Sequence, residues 1–161
     1  MVDRKVYTQH VVAGYNGPKK LLGDVLLKDI DIPKDYFIRK MDLPRWEYLK
    51  GPKNEPRKTK GDFIYNYTEG GMSFPDPLNK PSRTIITGEG GPSPSRFKHV
   101  VCTAKGELRR LTPLELERLN EFPDDHTAGL PDVRRAFMMG NALVVGVVER
   151  LGKELAEHIG A

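Results

Sequence analysis

One stretch constrains the fold of this chain more than any other. Between Glu107 and His158 two helix signatures stand close together, separated by a short Pro-containing spacer. In the first, Thr112-Pro113-Leu114-Glu115 reads as a capping box: the Thr112 hydroxyl accepts from the Glu115 N–H, and the Glu115 carboxylate reaches back to the Thr112 N–H. Pro113 falls at the first helical position, where its missing donor costs nothing and its φ is already helical. Leu111 and Leu116 flank the cap as a hydrophobic staple, and Pro123 closes the segment. A short helix is therefore expected from Pro113 to near Phe122, and Thr112→Ala should remove about 1 kcal/mol. The second signature is a longer helix introduced by Gly140-Asn141. Leu143, Val147, Val148, Leu151, Leu155 and Ile159 recur at helical spacing, with Glu149, Arg150, Lys153, Glu154 and Glu157 opposite them. Periodicity alone predicts a C-terminal helix closing a core, with one stripe buried and the other face solvated.

The remainder is built differently. Thirteen prolines and sixteen glycines in 161 residues imply that much of the backbone is turn and irregular loop. With 38% hydrophobic and 30% charged residues, the chain can form one modest core, or a small lobe with an extension. A formal net charge of +4 is compatible with an anionic partner without requiring one. A single cysteine excludes a disulfide framework and a Cys-rich zinc site. The four histidines are scattered without metal-ligand spacing, so no metal is expected. No apolar run has the length of a membrane span and the N-terminus lacks a signal-peptide core, so a cytoplasmic protein is expected.

In chain order, Val6 to Val12 is a strand candidate before a turn cluster at Gly14 to Pro18. A short helix is expected after Leu21, then a turn at Pro33 and an extended Tyr36-Phe37-Ile38. From Arg39 to Lys60 eight basic residues face three acidic ones, with Trp46 and Tyr48 among them, and Pro44, Pro52 and Pro56 prevent a single helix. Taken alone, such a run is more often a solvated face than a phosphate-binding one. Phe63 to Tyr67 is a strand candidate leading to Gly70-Gly71, which suits either a hairpin turn or close approach to a ligand. Thr84 to Thr87 is a β-rich apolar stretch ahead of Gly88-Glu89-Gly90-Gly91, which lacks the Lys-Ser/Thr of a phosphate loop. His99 to Thr103 reads as a buried strand ending at a Lys105-Gly106 turn, with Cys102 a small core residue.

The pair R-R-L-T-P-x-E-x-x-R-L-x-x-F-P-D and R-x-A-x-x-x-G-N-A-L-V-V-x-V-V resembles the last two conserved blocks, motifs IX and X, of the DNA (cytosine-5) methyltransferase family. Both blocks occur in the family's order, strongly over residues 109 to 158, with a looser likeness over 21 to 101. The resemblance implies an α+β fold: a leading segment (1–20), an irregular β-rich target-recognition region (21–106), then motif IX and X helices (107–161) that complete a catalytic lobe carried elsewhere. It also implies double-stranded DNA as partner. Lys53, Arg57 and Lys58 would then contact phosphates, Thr84 the DNA backbone near the target cytosine, and Arg83 would also bind DNA. Gly70, Gly71, Met72 and Ser73 would form one loop facing the major groove, and Thr87 to Gly91, including Gly90, the other. Arg109, Arg110, Glu115 and Arg118 would be structural. S-adenosyl-L-methionine is the implied cofactor, bordered by Gly140, Asn141 and Ala142, where the family often has Ser in place of Ala142.

The family's chemistry needs a thiolate from a Pro-Cys pair, a Glu-Asn-Val block that grips the base and a Phe-x-Gly-x-Gly cofactor loop. None of these occurs in this sequence, and Cys102 follows Val101. No catalytic residue is therefore expected, and the chain alone should be silent. The implied partner is a catalytic half, with the chain either the natural small subunit of a split restriction-modification methyltransferase or an excised part of a longer enzyme. The alternative is a standalone sequence-specific DNA-binding module. An apolar helix built to cap a missing lobe predicts a partner or an exposed sticky patch.

Overall fold

A computed structural model describes residues 3–12 and 14–160. Its elements are α1 (Leu43–Lys50), β1 (Lys53–Lys58), β2 (Ile64–Glu69), β3 (Val100–Cys102), β4 (Leu108–Arg110), α2 (Pro113–Leu119), α3 (Asp132–Asn141) and α4 (Val145–Ile159). The strands form two separate antiparallel pairs, β1 with β2 and β3 with β4. This is a small α+β domain with short sheets and helices, as expected for a chain so rich in proline and glycine.

The capping box forms as read from the sequence. Thr112 Oγ1 accepts from Glu115 N at 3.3 Å, Glu115 Oε2 accepts from Thr112 N at 2.8 Å, and Pro113 opens α2. Leu111 and Leu116 are both buried, and the core gathers Leu22, Val25, Ile85, Val101, Ala136 and Met139 around them. The helix stops at Leu119, earlier than expected, because Glu121 takes a positive φ and the Asn120 and Phe122 N–H groups turn back onto α2 carbonyls.

Other expectations are corrected. Val6 to Val12 does not form a strand: no partner strand runs beside it among the described residues, and Val6, Tyr7, Val11 and Val12 are exposed. The helix after Leu21 is a single 3-10 turn, Leu22–Val25. Tyr36 closes another 3-10 turn, while Phe37 bridges Arg109 and Ile38 N donates to Leu108 O, so only the end of that segment is extended. Thr84 to Thr87 is not a paired strand; Ile85 enters the core while Thr84 and Thr87 stay exposed. The β1–β2 turn lies at Thr59–Phe63, with Asp62 at positive φ, and not at Gly70-Gly71.

The largest difference is at the C-terminus. Gly140-Asn141 ends α3 instead of starting the last helix, and α4 begins only at Val145. Gly140 is required at that end: a Cβ there would lie closer than 3.0 Å to the backbone of Ile86 and Thr87. The α4 stripe is exposed and not buried, with Leu151 at 66%, Leu155 at 60% and Ile159 at 66%. The base of α4 is held by Val145 N on Asn120 O (2.9 Å) and Gly146 N on the Glu121 carboxylate (3.0 Å), and one turn on Arg150 donates to Tyr15 Oη at 3.2 Å and lies over that ring. A helix of this length is marginal by itself, and its apolar stripe is without cover among the described residues.

Candidate nucleic-acid interface

The polar interior beneath the loops explains how so irregular a backbone holds its shape. Asp76, 4% exposed, accepts from Arg83 Nε (2.7 Å), Arg83 Nη2 (3.1 Å) and Val100 N (2.9 Å). Burial pushes its carboxyl upward, but Arg83, the Val100 N–H and Lys50 outweigh this and hold it below the ordinary aspartate range. Lys50 is fully enclosed, donates to Lys98 O and lies 4.0 Å from Asp76. Burial pushes its ammonium down to about 8 despite the attraction of Asp76. Arg109 and Glu115, both buried, meet through two bonds of 2.8 and 2.9 Å, and Glu115 also accepts from Leu27 N at 2.9 Å. This pair ties the capped helix to the β4 strand and to the segment after Leu22–Val25.

The two loops implicated in base reading are anchored, not free. Gly70 O accepts from Arg96 Nη2, Met72 N donates to Lys50 O at 2.8 Å, and Gly71 stands against Pro52. Arg96 also donates to Leu49 O and pairs with Glu69 at 2.9 Å, joining the end of α1, the base of the hairpin and the first loop. In the second loop Glu89 is buried, and its carboxylate accepts from His99 N at 2.6 Å. Gly91, at φ 78°, offers its carbonyl to Lys98 Nζ (2.9 Å) and Arg110 Nη1 (2.8 Å). A Cβ on Gly90 would lie 3.0 Å from Val133 Cα and 3.1 Å from Ala136 Cβ, so the loop rests directly on α3. The tips, Gly70, Gly71, Ser73, Thr87 and Gly88, are exposed, and Met72 is half-buried.

The basic candidates separate by what already holds them. Lys53 is buried: its ammonium donates to Glu69 at 2.7 Å and to Leu49 O at 3.1 Å. Arg83 is committed to Asp76 and to the Phe97 and Lys98 carbonyls. Arg57 stacks 3.5 Å over the Tyr67 ring and pairs with Glu55, yet keeps an accessible edge. Lys58 is exposed and pairs with Asp62 at the hairpin tip. The surplus positive charge of this region is thus partly internal, and its solvent-facing share is divided between Arg39, Lys40 and Arg45, before and within α1, and Lys58, Lys60 and the half-buried Arg57 on the hairpin. The sequence reading missed Arg96, Lys98 and Asp76, lone polar residues in a Pro/Gly-rich stretch with no periodic pattern to mark their burial, and it gave Glu89 and His99 only as members of the second loop and of the buried strand.

Asn141 and Ala142 lie at the exposed end of α3. The Asn141 side-chain amide donates to Phe137 O at 2.9 Å, and Ala142 N to Met139 O at 3.3 Å. A groove of about 350 Å³ opens beside them, lined by Ser82 to Ile85, by Leu119 and Asn120, and by Met139, Gly140 and Ala142 to Val144, without Asn141. Both donors are thus turned back onto the end of α3. Among the described residues no His, Cys, Asp and Glu cluster could hold a metal ion, and no helix is long and apolar enough to cross a membrane.

The family model of C-5 cytosine-specific DNA methylases matches residues 13–157. The chain belongs to this family. The curated type II methyltransferase M.Sau3AI of Staphylococcus aureus is 40% identical over 134 residues, which cover 83% of this chain and 31% of that protein. The chain therefore spans about a third of the length of that relative. Among solved structures, the Dnmt2 methyltransferase of S. pombe superposes with a TM-score of 0.59 over 91% of this chain and 44% of its own, at 16% identity. This likeness concerns the fold alone. The family gives the anchored loops and the exposed stripe a common setting: a cytosine-5 DNA methyltransferase acts on DNA with a methyl donor, S-adenosylmethionine in this family generally.

Proposed function

We propose that this chain is the DNA-recognition and lobe-completing part of a cytosine-5 DNA methyltransferase of the restriction-modification type. Residues 21–106 present the hairpin and two loops to duplex DNA, and residues 107–161 dock on the catalytic body. That body is a separate subunit or the remainder of a longer polypeptide, and it carries the nucleophilic thiolate and most of the S-adenosyl-L-methionine pocket. The observation that carries this reading is the uncovered α4 stripe beside the open groove at Met139–Val144, in a chain matching 31% of its relative. The single cysteine supports it, since Cys102 follows Val101 and is half-buried in β3.

In this reading Arg57 and Lys58 hold phosphates without reading sequence, while Gly70, Gly71, Met72 and Ser73, and Thr87 to Gly91, approach base edges. Thr84 lies on the backbone of the target strand. Lys53 and Arg83 act indirectly, by fixing the hairpin base and the Asp76 network. Asn141 and Ala142 line the cofactor's edge, with the Asn141 amide hydrogen that is not turned onto Phe137 O as the donor. The test is competition binding to a duplex library with a randomised centre. Arg57→Ala and Lys58→Ala should weaken binding to every duplex alike and flatten its salt dependence, whereas substitutions at Met72 or Thr87 should change which duplexes are retained. Identical behaviour of the two sets would overturn the division between anchoring and reading.

A further inference from the structure

Beneath the Arg83–Thr84 segment, three side chains form a continuous hydrogen-bonded row. Glu89 Oε1 accepts from His99 N and lies 3.1 Å from His99 Nδ1. His99 Nε2 lies 3.0 Å from Ser82 Oγ, and Ser82 Oγ donates to Arg83 O at 2.9 Å. His99 is fully buried and Glu89 nearly so, while Glu89 Oε2 has no hydrogen-bond partner. One end of the row lies in the Thr87–Gly91 loop and the other at the start of the Arg83–Thr84 segment.

Proton counting shows why the members act together. If His99 is neutral with its proton on Nδ1, facing Glu89, then Nε2 is an acceptor that only the Ser82 hydroxyl can fill. That single hydroxyl hydrogen is also directed at Arg83 O, and it cannot serve both. The direction of the Ser82 hydroxyl, and with it the hold on Arg83 O, therefore depends on which ring nitrogen carries the proton, and Glu89 beside Nδ1 is the group that fixes this. The order Ser, His, Glu does not make Ser82 a nucleophile. Its second neighbour is a carbonyl acceptor, whereas acyl transfer requires N–H donors aimed at a developing oxyanion.

We propose that Glu89, His99 and Ser82 are positioning residues that hold the Thr87–Gly91 loop in register with the Arg83–Thr84 segment, so that selectivity among duplexes depends on this row. The proposal rests on the reading that this chain binds DNA. Recognition groups must be held within about 0.5 Å of their working geometry. Two loops of irregular backbone have no shared sheet to impose that, and the buried row supplies the cross-link.

The experiment measures two quantities for the parent chain, Ser82→Ala, Ser82→Thr and Glu89→Gln. These are enrichment from a duplex library with a randomised centre, and affinity for unselected duplex by fluorescence anisotropy. Ser82→Ala and Glu89→Gln should lose about tenfold or more in discrimination, the equivalent of one misread base pair. Affinity for unselected duplex should stay within about twofold, since phosphate contacts carry it. Ser82→Thr keeps the hydroxyl and should restore discrimination, a rescue that a purely structural role for the site would not produce. Parental discrimination in Ser82→Ala would overturn the positioning role alone. A parent chain with no preference among duplexes would overturn the DNA-recognition reading and the positioning role with it.

Discussion

Gly140→Ala tests whether the end of α3 and the second loop form one rigid unit. The added Cβ would fall closer than 3.0 Å to the carbonyl carbon and oxygen of Ile86 and to Thr87 N, all backbone atoms that cannot rotate away. Either the Ile86–Thr87 backbone or the last turn of α3 must shift by several tenths of an ångström, between a core residue on each side, Ile85 and Met139. Overpacking of this kind costs about 1–3 kcal/mol, and backbone obstruction places it near the upper end. The helix propensity of alanine returns up to about 1 kcal/mol, leaving a net loss of about 2 kcal/mol. Gly152→Ala is the internal control, because nothing lies within 4 Å of its Cβ position on α4; it should be neutral or stabilising by up to about 1 kcal/mol. Urea denaturation at matched m-values reads both midpoints. A Gly140→Ala midpoint equal to or above that of Gly152→Ala would refute the contact argument.

Three further outcomes follow from named contacts. Glu115→Ala leaves Arg109 buried without its carboxylate and should cost about 3–5 kcal/mol. Thr112→Ala, which removes only the cap, should cost about 1 kcal/mol, and equal losses in the two urea curves would contradict the assignment of Glu115 to both roles. The Lys50 ammonium is held near 8 against 10.5 in the unfolded chain, so between these values the unfolded state binds more protons and stability should rise with pH. Relative to Lys50→Met the gain should approach about 3 kcal/mol by pH 10.5, and parallel pH profiles for parent and variant would exclude it. Leu151→Ser combined with Leu155→Ser should leave the chain's own urea midpoint within about 0.5 kcal/mol, since both side chains are exposed, yet abolish co-purification with the catalytic body. A large loss of stability in the isolated chain would mean that α4 packs on this chain instead.

How much was legible in the sequence depended on whether a signal was local. The capping box, Pro113 and the Leu111–Leu116 staple all act within one turn, and they form as read. The Lys105-Gly106 turn and the β3 strand were similarly local. The α4 periodicity gave the helix correctly but not its burial, because a stripe records that something covers it and not which body does. Gly140-Asn141 reads as introducing the last helix, yet it ends α3, where Gly140 lies against the Ile86–Thr87 backbone, a contact between residues far apart in sequence. The same limit hid Lys53 and Arg83. A basic residue in a charged run looks solvated until a partner such as Glu69 or Asp76 arrives from another segment.

The most direct test of the central claim is methyl transfer from labelled S-adenosyl-L-methionine to mixed-sequence duplex DNA. It is run with this chain alone and then with a catalytic half that carries a Pro-Cys pair. The account predicts no transfer by the chain alone and transfer when the two are combined. Transfer by the chain alone would contradict it, because the nucleophile would then have to lie within these residues.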